Sequence, residues 1–462
     1  MARKWWTLAG TCAGLFLLML DSTVVALALP SIRHDVGASS AGLQWVMNAY
    51  LLTITALVVT AGRLGDMFGR KRLFLAGLCV FALGSVLSGA ANDELTLIAG
   101  RVLQGAGAAP MLPLSLAIVC NAFPPAEQAR ALGIWAGISA VALGIGPLAG
   151  GALVDVDWRL IFWINLPIAA IGLAITALAA PESTDPGSGR RIDLSGLAAL
   201  GIGLTAAVLA LVQARVWSGG ATALLALVGL ACLYAFWRIE HRVPEPIVDF
   251  SLFRNGPYFG ASAAAFALVG AYWSVMFFQS QYLQDVRGHS AVLSGLMILP
   301  ITVPMIFVSP FSGRLIARFG ARRLMTVGMV LGVVGLLALT QVDADSSYAL
   351  LLAGYLPFGV ALGLVYAPMS TAAMAAMPAE KVGIASGVLA MDRVMAGTVA
   401  LAITGAVFHA LLDDGSFADA VAGSTWVLVA LCVVGTILTW AFVRDVDRPI
   451  PEPHAHHRRF HL

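Results

Sequence analysis

The stretch Gly62–Leu73 reads GRLGDMFGRKRL, and its frame returns at Gly313–Leu324 as GRLIARFGARRL. Gly, Arg, Leu, Phe, Gly, a basic residue, Arg and Leu recur in register. Each copy follows the second apolar helix of a presumed set of six. A shared basic frame between two helices is either a pair of similar charged turns or the mark of an internal duplication; the matched Gly-Arg-Leu and Phe-Gly spacing favours duplication. Two six-helix halves in parallel orientation follow, of the kind transporters use to form a substrate path between repeats.

The rest of the chain fits this reading. It has 462 residues, 59% hydrophobic and 11% charged, with a mean hydropathy of +0.88. That is too little charge for a soluble surface of this size. Apolar runs long enough to cross a bilayer, about 20 residues each, recur along the chain. Fourteen helices are expected, at 8–29, 43–61, 73–91, 95–121, 130–153, 160–180, 192–212, 221–238, 258–283, 292–312, 322–341, 347–370, 383–410 and 424–443. The fold class is all-α integral membrane protein. The first apolar run lacks a cleavage-site pattern and is expected to be retained as a helix.

Charge distribution supports an even number of spans. Of the 27 Lys and Arg residues, Arg33, Arg159, Arg215 and Arg287 fall in loops opposite the N-terminus, and Arg101 and Arg393 fall within helices. The rest lie on the N-terminal side, while the opposite loops carry NDE, DVD, DAD and DDGSFAD. By the positive-inside rule both termini are expected in the cytosol. Arginine outnumbers lysine 24 to 3, a bias that suggests a GC-rich bacterial genome and hence the cytoplasmic membrane of a bacterium. The expected organisation is a six-helix bundle at 1–181, a linker with two inserted helices at 182–250, a second bundle at 251–445 and a basic, His-bearing tail at 446–462. HAHHRRFHL in that tail is either a metal-binding run or a basic segment near lipid headgroups. The five cysteines lie inside helices without metal or disulfide spacing and read as packing residues.

The chemistry-bearing residues are few. LMLDSTVVALALP (Leu18–Pro30) places Asp21 inside an apolar helix, where a charge costs about 2.5–3.5 kcal/mol on insertion scales. Arg101, in AGRVLQGAGAAP, falls at a similar depth in the fourth helix, so an Asp21–Arg101 pair is expected. It is either a static ion pair or one that protonation of Asp21 breaks. Asp392, in VLAMDRVMAGTVA, lies near mid-bilayer and either binds a proton or cation or serves structure alone. Its neighbour Arg393 points about 100° away around the helix and need not pair with it.

In the 62–72 turn, Gly62, Gly65 and Gly69 permit tight backbone, and Arg63, Arg70, Lys71 and Arg72 face the cytosol. Asp66 is the one acid there, either a turn cap or a latch to the other half. The fifth helix carries GISAVALGIGPLAGGAL, with Gly137, Gly144, Gly146, Pro147, Gly150 and Gly151 offering a flat surface for close packing. Asn48, Tyr50, Gln104, Gln279, Gln281, Tyr366 and Ser370 are polar candidates for a cavity lining. No nucleophile–base pair, phosphate-binding loop or HExxH appears, and GAGAAP lies within a membrane helix. No enzyme, catalytic residue, cofactor, metal or nucleic-acid partner is expected, and transport would run on an ion gradient or the substrate's own gradient.

With these residues in view, the chain resembles the major facilitator superfamily, in its fourteen-spanner drug/proton antiporter branch of multidrug-efflux type. LDSTVVALALP resembles the first-helix motif, with Ala26 in place of the usual asparagine. GRLGDMFGRKR matches the loop motif, RVLQGAGAA the fourth-helix motif and GIGPLAGGAL the fifth-helix antiporter motif, followed by WRLIFWINLPI.

The resemblance implies a major facilitator fold with two central helices inserted between the bundles. It implies proton coupling at Asp21 and Arg101; Asp392 departs from the neutral residue usual before the arginine there, a difference that bears on substrate charge preference or proton stoichiometry. It implies a cytosolic gate at Gly62, Arg63, Asp66, Gly69, Arg70 and Arg72, and a helix-five surface of Gly144, Gly146, Pro147, Gly150 and Gly151. The implied partners are protons, the lipid bilayer and a lipophilic small molecule, cationic compounds included, exported by a monomer through rocker-switch alternating access. The alternatives are a dedicated exporter of an endogenous metabolite or antibiotic, a nutrient symporter, or a sensor that no longer transports.

Overall fold

A computed structural model of the chain describes residues 2–184, 193–213, 217, 219–243, 246–308, 311–377, 382–412 and 415–444. The histidine tail at 446–462 and Arg215 lie outside the described residues. Regular structure among the described residues is helical throughout. The first bundle comprises α1 (Ala2–Val36), α2 (Ser40–Phe68), α3 (Arg70–Gly89), α4 (Glu94–Ala122), α5 (Pro125–Val154), α6 (Leu160–Trp163) and α7 (Asn165–Ala179). Two helices follow, α8 (Leu194–Val212) and α9 (Gly219–Glu240). The second bundle comprises α10 (Gly256–Gln281), α11 (Ala291–Val308), α12 (Ser312–Phe319), α13 (Ala321–Leu339), α14 (Tyr348–Ala375), α15 (Val382–Leu412) and α16 (Phe417–Phe442). Fourteen segments are long and apolar enough to span a membrane, α6 and α7 together forming one of them.

Local sequence explains the boundaries. Ser39, Asp93, Asn255 and Ser416 cap the helices that follow by accepting backbone N–H bonds. Gly69 ends α2 and begins α3 at φ 118°, and Gly320 links α12 to α13 at φ 80°. Such backbone favours glycine, and the two glycines hold matching places in the repeated GRL…FG frame. The duplication therefore extends from sequence to backbone geometry.

Several boundaries differ from expectation, α2 running on to Phe68 and α16 starting at Phe417 among them. α1 runs through Pro30 to Val36, because a proline within a membrane helix can be accommodated by its packed neighbours. The sixth span breaks between Trp163 and Asn165, which puts Pro167 in the first turn of α7, where its missing N–H costs nothing. The span expected at 292–312 ends at Val308, and Ser312–Phe319 forms a separate helix with Arg314 and Arg318 set among Leu315, Ile316 and Phe319.

Helices pack mainly within each bundle, α3 on α4 and α13 on α14 being the closest pairs. The bundles meet where α5 packs on α11, α2 on α15 and α1 on α10. α8 lies at the α2–α15 seam and touches both bundles, while α9 packs on α8. The spans containing α1 and α10 are the most enclosed, 83% and 89% buried, whereas α9 is 11% buried. α9 turns Leu224, Leu227, Leu230, Tyr234 and Trp237 outward, an apolar face suited to lipid.

Candidate functional site

Asp21, in α1, has no exposed surface and is held by three side chains. Arg101 Nη1 donates to Asp21 Oδ2 at 2.5 Å, Gln104 Nε2 donates to Oδ1 at 3.0 Å, and Asn165 Nδ2 donates to Oδ1 at 3.1 Å. Ser85 Oγ accepts from the same two amides, at 2.9 Å from Gln104 and 3.2 Å from Asn165. Arg101 also donates Nε to the Val46 carbonyl at 3.0 Å and Nη1 to Gln104 Oε1 at 2.8 Å. Its guanidinium carbon lies 4.2 Å from the centre of the Tyr50 ring, a cation–π arrangement. Five helices of one bundle thus converge on one carboxylate. Charge-assisted bonds of this kind offset the cost of burying the pair.

The network explains the sequence at each point. Arg101 and Gln104 are three apart on α4 and therefore share a face. Gly84 and Gly100 let α3 and α4 approach closely: a Cβ on Gly84 would lie 2.5 Å from the Gln104 amide nitrogen, and one on Gly100 would lie 2.8 Å from the Ser88 amide nitrogen.

The fifth-helix glycines serve two neighbours. Gly146 and Gly150 face Thr23 and Val24 of α1, and a Cβ on Gly150 would lie 3.0 Å from the Val24 Cα. Gly144 and Gly151 face α11. A Cβ on Gly151 would lie 2.5 Å from the Ala291 carbonyl oxygen, and Thr302 Oγ1 donates to the Gly144 carbonyl at 3.3 Å. Pro147 lies in the same stretch, its carbonyl against Gly295. α5 is thereby pressed between α1 of its own bundle and α11 of the other.

In the 62–72 turn, Asp66 Oδ1 accepts from Arg70 Nε at 2.7 Å, four residues on. The acid is paired inside its own turn. Gly62 packs on Pro113 and Gly65 on Leu114. Arg63 lies in the field of Asp193. Arg72 is largely exposed and lies 3.6 Å from Glu182. That glutamate also accepts from the Lys71 and Arg72 amides at 3.0 and 3.2 Å and so caps α3.

Asp392 and Arg393 diverge as the helix geometry predicts. Arg393 donates Nη2 to Ser370 Oγ at 2.9 Å and lies 5.2 Å from the Tyr366 ring centre. Asp392 is buried, and its Oδ2 has no hydrogen-bond partner among the described residues. No hydrogen bond or ion pair among those residues joins Asp392 to Asp21. Gln279 accepts from Tyr355 Oη at 2.6 Å, and Asn48 is fully buried with neither amide atom bonded among the described residues.

The sequence profile of the Major Facilitator Superfamily matches residues 11–401. The chain belongs to the Major Facilitator Superfamily. It is 38% identical over 412 residues to multidrug resistance protein Stp of Mycobacterium tuberculosis, covering 88% of this chain and 76% of Stp. It is 32% identical to the tetracenomycin C resistance and export protein of Streptomyces glaucescens, covering 89% of this chain and 77% of that one. Among solved structures, an inward-facing bacterial homologue of the lysosomal transporter Spinster superposes with a TM-score of 0.69 at 15% identity, over 97% of this chain and all of that one. The expected all-helical superfamily fold is borne out, as is the likeness to relatives of multidrug-efflux type.

In this superfamily member, several contacts escaped sequence reasoning. Asn165 lay in plain sight in WINLPI, a lone amide in an apolar run. Ser85 gave no signal. Asp155 appeared only as a loop acid, yet its Oδ1 accepts from the Ala291 and Val292 amides at 2.9 and 3.4 Å. An α5 carboxylate thus caps α11 of the other bundle, where a helix N-terminus favours negative charge. At the same end Arg33 joins Asp285 at 3.0 Å and Gln281 at 2.9 Å, and Gln284 donates to the Leu27 carbonyl at 3.0 Å. Gln44 Nε2 lies 3.0 Å from His409 Nε2. These bundle-to-bundle polar contacts gather at the end of the molecule away from the 62–72 turn.

Proposed function

We propose that this transporter exports lipophilic small molecules, cationic toxic compounds among them, across the bacterial cytoplasmic membrane in exchange for protons. Both termini face the cytosol in this reading, as the placement of Lys and Arg requires. A monomer works by rocking residues 1–181 against 251–445 about a path between them. The contacts of Asp155, Arg33 and Gln284 close the external end, and the 62–72 turn gates the cytosolic one. The multidrug and tetracenomycin resistance relatives support the substrate class.

The Asp21–Arg101 pair carries the proposal. A proton on Asp21 Oδ2 removes the charge that holds Arg101 Nη1. Arg101 keeps the Val46 carbonyl, Gln104 Oε1 and the Tyr50 ring. Asp21 keeps the Gln104 and Asn165 donors on Oδ1. With Asp21 neutral, Arg101 keeps these neutral contacts but loses its counter-ion, and that buried uncompensated charge favours a rearrangement of the helices that carry the pair. A proton moving inward releases about 2.3 kcal/mol per 100 mV of membrane potential. Coupling requires that proton and substrate prefer different conformations. Asp392, buried with a free carboxylate oxygen, supplies a second acid in the other bundle.

A second reading is a dedicated exporter of an endogenous metabolite or antibiotic, favoured by the relative named for both resistance and export. The mechanism is the same. Everted vesicles acidified by respiration test the first reading. A panel of chemically varied toxic compounds should release protons on addition, and an uncoupler should abolish the resistance the protein confers. Release by one compound alone supports the second reading, and none from a folded preparation contradicts both.

A further inference from the structure

The base of the inserted helix pair contains two buried carboxyl groups that the transport reading leaves unused. Asp193 caps α8, its Oδ1 accepting from the Gly196 amide at 2.8 Å and from Ser195 Oγ at 2.6 Å. Glu240 closes α9, its Oε2 accepting from the Val248 amide at 2.9 Å. The other oxygen of each, Asp193 Oδ2 and Glu240 Oε1, has no hydrogen-bond partner to its credit among the described residues. Asp193 is 8% exposed and Glu240 5%.

The two oxygens flank one spot. A Cβ on Gly196 would lie 2.7 Å from Glu240 Oε1 and would collide with Asp193 Oδ2. Glycine at 196 therefore leaves the space across which the carboxyl groups face each other. Two facing carboxylates repel, and withdrawn from water they do so strongly. Such pairs hold one proton between them.

Among the described residues, the surrounding charges favour one bound proton over two bare carboxylates. From α2, Arg63 is the cation in the field of Asp193. From α15, Asp392 and Arg393 stand ten residues into the helix, about 15 Å from its start by the helical rise. On α9, Arg238 reaches Tyr234 Oη at 3.5 Å; just past the helix, His241 reaches the Trp237 carbonyl at 2.7 Å and Arg242 is exposed. Asp249 caps a short 3-10 helix at Phe250–Arg254. With one proton between them, Asp193 and Glu240 carry a single negative charge, against which Arg63 stands among the described residues of α2. With none, an unmatched negative charge is buried, which is costly.

We propose that Asp193 and Glu240 together form a proton-binding site at the base of the inserted pair, distinct from Asp21, with its loaded form charge-matched to Arg63. The proton bridges Oδ2 and Oε1. Its departure leaves two repelling carboxylates that push the bases of α8 and α9 apart and tighten the hold on Arg63. α8 sits at the seam between bundles, so this strain reaches both α2 and α15. The consequence for gating rests on reading the 62–72 turn as a gate; the proton site does not.

The test is infrared spectroscopy of the full-length protein in lipid nanodiscs, stepped from mildly acid to mildly alkaline pH. The wild type should show a protonated-carboxyl band that disappears on alkalinisation, and carboxyl-13C labelling of Asp or Glu should move it without any substitution. Glu240→Gln and Asp193→Asn should each remove the band, while Asp21→Asn and Asp392→Asn retain it. Thermal unfolding gives a second readout. Folding takes up the proton, so the wild-type midpoint should fall as pH rises, and that of Glu240→Gln, which mimics the loaded form, should fall less. A band retained in both Glu240→Gln and Asp193→Asn, or parallel unfolding curves, overturns the proposal. Normal transport by Asp21→Asn would sink the coupling role of Asp21 and leave this site standing.

Discussion

Asp21 and Arg101 meet at 2.5 Å with neither side chain exposed, although 80 residues separate them in sequence. Among the described residues, every hydrogen-bond partner of the pair comes from the same bundle. In the proposed mechanism the switch lies inside one half of the molecule, and its output reaches the other half through α1, α2 and α5, the helices of this bundle that pack on the other.

Removing one member of a buried pair leaves an uncompensated charge, typically at a cost of about 3–5 kcal/mol. Arg101 should therefore be stranded in Asp21→Asn. Adding Arg101→Gln removes the stranded charge and should recover a large part of the loss. Chemical unfolding in detergent of the two single variants and the double variant measures the coupling. Additive losses would show that the pair contributes no mutual stabilisation.

Gly151→Ala should separate α5 from α11. Its new methyl would lie 2.5 Å from the Ala291 carbonyl oxygen and 2.8 Å from the Val292 Cα, and backbone atoms yield little. The contact between α5 and α11 at the Asp155 end should open, raising the labelling rate of a cysteine placed near Val292 several-fold. Gly137→Ala is the control, because nothing lies within 4 Å of a Cβ there. Equal labelling in the two variants would contradict the wedge argument.

Asp155→Ala removes the cap that α5 places on α11. Loss of such a cap is worth about 0.5–2 kcal/mol. The expected outcome is a shift of the conformational population away from external closure, read as a longer spin-label distance between α5 and α11 at that end. An unchanged distance distribution would show that Arg33–Asp285 and the Gln284 contact suffice.

Asp93 gives a pH-dependent prediction outside the membrane. The Thr96 hydroxyl first, then the Thr96 amide, hold its carboxyl below the usual aspartate range. A depressed value means the cap stabilises α4 at neutral pH and loses strength as pH falls through the acid range. Hydrogen exchange at the start of α4 should be faster in Asp93→Ala than in wild type near neutrality. The difference should vanish in acid, and a difference that grows in acid would reverse the sign.

How far the sequence reaches can be judged from single residues. Asp21 and Arg101 were predictable as a pair because a charge in an apolar helix demands a partner at its own depth. The span number was legible because length and charge bias act together. Gly69 and Gly320 were flagged by the repeated frame, and both take the left-handed backbone their turns need. Asn165 and Ser85 were harder to find, since a small polar residue in a membrane helix signals no direction until its helix is placed. Asp66 was read as a cap or a cross-bundle latch, and here it pairs with Arg70 of its own turn. Asp155 and Glu182 cap helices that are remote in sequence, and capping across such separation leaves no local pattern.

The central claim is that a proton and Arg101 compete for Asp21, and transport in proteoliposomes tests it most directly. With an imposed pH gradient and a fluorescent lipophilic cation as substrate, the wild type should accumulate substrate against its gradient. Asp21→Asn, folded and at equal protein density, should only equilibrate it. Gradient-driven accumulation by Asp21→Asn at the wild-type rate would contradict the account.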